Sequence, residues 1–195
     1  MPHAGFQEEA PMRPAVLFVD DEENILSALV RLFRKEDYEL FTATSGAEGL
    51  KMVEEREISL VISDQRMPGM TGVDFLARVK EISPDTVRVM LTGYADLEAT
   101  IAAINKGEVY RFITKPWNDE DLKLTVRQSL DYRDLVLKNR SLTRAVKKQY
   151  EILQALEKDY PGISTVTRSD DGAIIIDEGA LEGFSPEEIL NPKKG

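Results

Sequence analysis

Five short apolar runs, each closing on a polar residue and each followed by a helix-forming stretch, constrain this chain more than any other feature. "AVLFVDDE" (15–22) ends in acids, "YELFTATS" (38–45) in hydroxyls and "ISLVISD" (58–64) in one aspartate. "TVRVMLTG" (86–93) closes on Thr92 and Gly93, and "VYRFITKP" (109–116) on Lys115 and Pro116. Between them, "NILSALVRLFRKE" places Ile25, Leu26, Leu29, Leu32 and Phe33 at the spacing of one helix face. "GAEGLKMVEERE" and "VDFLARVKEIS" give two more helices, the second stopped by Pro84. "DLEATIAAINKG" gives a fourth, ended by Gly107, and "NDEDLKLTVRQSL" a fifth with Asn118 as its N-cap. Strands this apolar are buried on both faces, so the alternation predicts an α/β chain with a doubly wound five-stranded parallel sheet.

In such a sheet the ligand-binding crevice lies beyond the carboxyl ends of the strands. Those ends here carry Asp20 and Asp21, Asp64, Thr92 and Lys115. Asp64 poses the sharpest question, because it sits at the end of a buried run where an unpaired charge is costly. A metal ion, a lysine partner, a helix N-terminus or a chemical task would each answer it. Taken singly, Asp20 and Asp21 could cap the first helix, Asp64 could open a turn, and Lys115 could be a surface lysine.

The rest of the inventory narrows the chemistry. There is no cysteine, which excludes disulfides and thiolate zinc sites, and the one histidine is His3 in a Pro-rich N-terminal stretch, so no Ser-His-Asp triad can form. No apolar run reaches the ~20 residues of a membrane helix, and "MPHAGFQEEAPMRP" lacks the pattern of a secretory leader. A cytoplasmic protein without membrane contact is the expectation. The formal net charge of −10 argues against general nucleic-acid binding. Converging carboxylates need a proton or a cation, and an all-oxygen site suits Mg2+. With Lys115 to hold a phosphate and Thr92 as hydroxyl donor, the set describes phosphorylation of an aspartate.

"VDDE", "ISDQRMPGMTG", "MLTGY" and "FITKPW", in that order, resemble the receiver domain of two-component response regulators, over residues 14–132. The resemblance implies a flavodoxin-like fold with Asp64 as phospho-acceptor. It implies Asp21, Asp64 and the backbone carbonyl of Arg66 as direct Mg2+ ligands, and Asp20 acting through water. Lys115 would hold the phosphoryl group, Thr92 and Phe112 would be the switch pair, and Arg66 and Tyr94 would tune hydrolysis. Lys115–Pro116 would be cis, and the phosphoryl donor would be a sensor histidine kinase or phosphotransfer protein.

Residues 118–160 contain neither proline nor glycine and predict one long helix. With Leu135, Leu142, Gln149 and Leu156 at d, Tyr132, Asn139, Val146, Leu153 and Tyr160 fall at a. Asn139 at an a position favours a two-stranded coiled coil, hence a homodimer through residues 132–160; a monomeric helix folded back on the domain is the alternative. Arg133, Arg140, Arg144, Lys147 and Lys148 share the opposite face, either as a solvated surface or as a docking stripe for an acidic partner or nucleic acid. The expected organisation is a flexible segment 1–13, the receiver 14–132, the helical extension 133–160, and an acidic tail 161–195. In that tail "ISTVTRSDDGAIIIDE" has a hairpin signature. The expected function is a phosphorylation-dependent regulator that signals through a downstream protein target and is not itself an enzyme. A DNA-binding transcriptional regulator, or a fragment of a regulator with an enzymatic output domain, are the alternatives.

Overall fold

The computed structural model describes residues 13–93, 101 and 109–159. The fourth expected helix apart from Ile101, its stop at Gly107, the N-terminal segment before Arg13, Tyr94, Tyr160 and the tail hairpin lie outside the described residues. The elements are β1 (Ala15–Val19), α1 (Glu23–Phe33), β2 (Glu39–Ala43), α2 (Gly46–Glu55), β3 (Leu60–Asp64) and α3 (Gly72–Ile82). They are followed by β4 (Val87–Thr92), β5 (Arg111–Thr114) and a long helix, here α4 (Asp119–Asp159). The strands form one five-stranded sheet in the order β2-β1-β3-β4-β5, parallel at every pairing. This is the predicted α/β architecture, a flavodoxin-like fold with a long C-terminal helix.

The period of two along each strand sorts the core into two layers. Val16, Phe18, Leu60, Ile62, Val89 and Leu91 pack with Leu26, Leu29 and Phe33 of α1 and with Leu122 and Val126 of α4. On the other face Leu17, Val19, Val61 and Met90 pack with Val53 of α2 and with Phe75, Leu76 and Val79 of α3. Each such side chain stabilises the fold by about 1.5–3 kcal/mol when fully buried. Asn118 caps α4 as expected: its Oδ1 accepts from the backbone N–H groups of Glu120 and Asp121 at 2.9 and 3.2 Å. Ser45 and Thr71 cap α2 and α3 in the same way.

By compactness the chain divides into a unit ending at Arg140 and a second beginning at Ser141. The first therefore reaches eight residues past 132, the expected end of the receiver. The cause is contacts made by the helix: Arg133 pairs with Glu57 at 2.9 Å, Arg140 with Asp85, and Tyr132 stacks on Tyr110 with ring centroids 4.5 Å apart. Beyond Arg140 the helix is apolar on an uncovered seam, with Leu142, Val146, Leu153 and Leu156 all exposed.

Leu122 is fully buried and Leu124, two residues on, is 50% exposed. Leu122→Ala is expected to lower unfolding free energy by about 2–5 kcal/mol in a urea titration, and Leu124→Ala to change it by under about 0.5 kcal/mol.

Candidate functional site

At the carboxyl edge of the sheet, Lys115 of the β5 terminus reaches across to β1 and β3. Its Nζ lies 2.7 Å from Asp20 Oδ2 and also pairs with Asp64 Oδ1. Asp20 is fully buried, Asp64 and Thr92 are buried, and the lysine side chain is 21% exposed. The lysine partner is thus the answer to why a carboxylate can end the third strand. Two acids close to a single ammonium leave one net negative charge, which a cation or an added proton can offset.

The ionisation of the cluster follows from this geometry. Burial raises the pKa of Asp20 above the ordinary aspartate value, although its hydrogen bonds from Lys115 and from the Glu22 N–H oppose the rise. Burial alone would lower the Lys115 pKa, but hydrogen bonds to Asp20 and Asp64 and their negative charges outweigh it, and the net shift is upward. Lys115 therefore contributes stability that is present below its unfolded value and lost as pH rises through the higher folded value.

Local sequence fixes Asp64 from behind. Its Oδ2 accepts from the Arg66 backbone N–H at 2.5 Å. The loop that follows returns at once, with the Gly72 N–H donating to Gln65 O at 2.9 Å. A Cβ on Gly72 would stand 2.2 Å from the Asp64 carbonyl oxygen, so only glycine permits this approach; Gly69, at φ 78°, supplies the left-handed turn residue. Gln65 was not singled out in the sequence, yet it is buried and its Oε1 accepts from the Val73 N–H at the start of α3. A polar residue beside a loop gave no signal for that role.

The other expected site residues take distinct positions. Asp20 also accepts from the Glu22 N–H at 2.9 Å, so it serves the turn into α1 as well as the lysine. Asp21 is exposed, and among the described residues no three acids gather closely enough to hold a metal. Thr92 Oγ1 donates to the Gly93 carbonyl at 3.2 Å rather than towards Asp64. Phe112, paired in register with Met90, is 37% exposed. Arg66 is exposed on the loop beside Asp64. The Lys115–Pro116 bond is cis.

A sequence profile of the response regulator receiver domain matches residues 16–127, more than half of the chain. The chain belongs to the receiver domain family of two-component response regulators. This receiver is 40% identical over 120 residues to the hydrogenase transcriptional regulatory protein HoxA of Cupriavidus necator, covering 62% of this chain but only 25% of that protein. Sporulation initiation phosphotransferase F of Bacillus subtilis is 30% identical over 119 residues, and there the match covers 61% of this chain and 95% of the relative. Among solved structures, the signal receiver domain of an HD domain-containing protein from Pseudomonas fluorescens Pf-5 superposes with a TM-score of 0.63 at 39% identity, covering 66% of this chain and 95% of that one. Among the described residues no helix is long and apolar enough to cross a membrane.

Receiver domains bind Mg2+ at the phosphorylation site, and the donor set here fits that ion. Asp20 and Asp64 are hard oxygen donors drawn together on one Nζ, and magnesium needs only one or two carboxylates with waters completing its shell.

Lys115→Met would leave Asp20 and Asp64 without their cation and push the Asp20 pKa higher still. The variant then holds protons in the folded state that the unfolded chain releases, so its stability falls as pH rises from about 4 through the new folded pKa. In thermal melts the expected deficit is about 3–5 kcal/mol at pH 7.5 and shrinks towards pH 5; a deficit independent of pH would contradict the pairing.

Proposed function

We propose that Asp64 accepts a phosphoryl group from a phosphohistidine on a sensor kinase or phosphotransfer protein. A carboxylate oxygen of Asp64 attacks phosphorus, the new P–O bond forms as the P–N bond breaks, and the departing imidazole takes up a proton. The observation that carries this reading is the Lys115 ammonium held against both Asp20 and Asp64 at the carboxyl edge of a parallel sheet. Bound Mg2+ would neutralise charge on the transferring phosphoryl oxygens, with Asp20, Asp21, Asp64 and the Arg66 carbonyl as its candidate ligands. Lys115 holds the product phosphoryl group as a point charge. Thr92 exchanges its hydrogen bond to Gly93 for one to a phosphoryl oxygen, and Phe112, partly exposed, turns inward as Thr92 moves. Arg66 flanks Asp64 and, with Tyr94, governs access of the water that ends the signal.

Treatment with acetyl phosphate and Mg2+ is expected to label the wild-type chain with an acid-stable, base-labile phosphate, read on a phosphate-affinity gel. Asp64→Asn is expected to abolish the labelled band, and a band of equal intensity would overturn the assignment of the acceptor.

The output in this reading is protein contact through the helical extension, as a homodimer over residues 132–160. Leu135, Leu142, Val146 and Leu153 are each at least 50% exposed on the a/d seam, an apolar stripe that a second copy of the helix would cover. Light scattering is expected to give twice the 22.0 kDa chain mass, and Val146→Glu to return it to one chain. A monomeric wild type, with and without beryllofluoride, would favour the folded-back helix. Similarity to HoxA, a transcriptional regulatory protein, favours a second reading, transcriptional control. The chain's charge of −10 opposes direct DNA contact, and binding to duplex DNA with a steep loss on added salt would support it.

A further inference from the structure

The edge of the sheet opposite Asp64 holds a cleft of about 490 Å3. It opens where β4 begins, five residue steps or about 17 Å along that strand from Thr92. Cations come to it from three elements: Lys80 of α3, Arg88 of β4, and Arg133 and Arg140 of α4. Asp85 is the one carboxylate in its lining, and Arg133 is also paired with Glu57, outside that lining, at 2.9 Å. A local excess of positive charge is unexpected in a chain with 35 acids and 25 basic residues.

The cations are oriented by the protein rather than left loose. Arg88 Nη1 donates to the Thr86 carbonyl at 2.6 Å. Arg133 Nε donates to the Asp85 carbonyl at 3.2 Å, and the Arg140 guanidinium pairs with the Asp85 carboxylate. Burial holds the Arg88 guanidinium below its ordinary pKa, a cost that a bound anion would offset. One wall is the Tyr110–Tyr132 stack, whose rings are 17° from parallel, and Val136 and Leu137 add apolar surface.

We propose that this cleft is a second ligand site, taking a small organic anion with a flat ring and at least two negative charges. Guanidinium groups match phosphate or carboxylate oxygens bidentately. Tyr110 is covered by Tyr132 on one side and by the Arg111 guanidinium, so the outer face of the 45% exposed Tyr132 and the apolar wall are what match a ring that an inorganic anion lacks. The volume lies in the range of small-molecule sites. Asp85 marks where an anionic group sits, and because the Arg140–Asp85 pair is half exposed it is weakly held and can be exchanged for a ligand. Such a ligand touches α3, β4, β5's approach and α4 together, so it fastens the long helix to the sheet independently of Asp64.

The test is a titration of the full chain with ADP, pyrophosphate and adenosine in EDTA, followed by calorimetry and by amide NMR shifts. EDTA prevents a divalent ion from carrying phosphate oxygens to Asp20 and Asp64. Saturable ADP binding is expected below about 1 mM, with adenosine and pyrophosphate each about tenfold weaker or worse. The shifts are expected around Arg88, Tyr110 and Tyr132. Lys80→Gln and Arg140→Gln, both surface changes that leave the core intact, are each expected to weaken ADP about fivefold or more. Absence of saturation, equal binding by both variants, or shifts centred on Lys115 would overturn the proposal. Pyrophosphate binding as well as ADP would overturn the flat-ring requirement and with it the ligand class.

Discussion

The site depends on one ammonium group shared between two buried carboxylates. Asp20 and Lys115 are 95 residues apart in the chain and 2.7 Å apart in space. Burial works against the charge on Asp20, since removing a carboxylate from water costs several kcal/mol even after relaxation. The lysine has to come from a strand on the far side of β4, and the order β2-β1-β3-β4-β5 brings it there. The fold and the charge balance of the site are therefore one requirement.

The same economy governs the loop behind Asp64. The chain must end a strand, hold the Asp64 carboxylate with the Arg66 N–H, and begin α3 within eight residues. Two glycines make this feasible, Gly69 by its left-handed turn and Gly72 by having no Cβ against the Asp64 carbonyl. Gln65 fastens the loop to the first turn of α3. These contacts fix the Asp64 carboxylate beside Lys115 at the carboxyl edge of the sheet.

α4 changes character along its length. Leu122, Val126 and Leu130 bury it against the sheet; Tyr132, Arg133 and Arg140 then tie it to Tyr110, Glu57 and Asp85. Two residues of the basic stripe thus have acidic partners within the same unit, which weakens the stripe as a nucleic-acid surface. Tyr132, the first a position of the seam, is likewise engaged by a neighbouring ring. A coiled coil would gain most of its contact from residues further along.

The sequence by itself determined the alternation of strands and helices, the parallel sheet, the unbroken helix from 119 to 159, and the five residues at the strand ends. These are readable because apolar periodicity, caps and helix stops are local, and because a parallel sheet sends every strand end to one edge. Only the tertiary structure decided that Asp20 rather than Asp21 lies buried on the lysine, that Gln65 anchors α3, and that the first unit reaches Arg140. Adjacent aspartates are equivalent in a pattern of charge and hydropathy; which one turns inward follows from the pleat of β1. The clasp of Arg133 and Arg140 joins groups 48 to 76 residues apart, and no local period in a sequence records such a meeting.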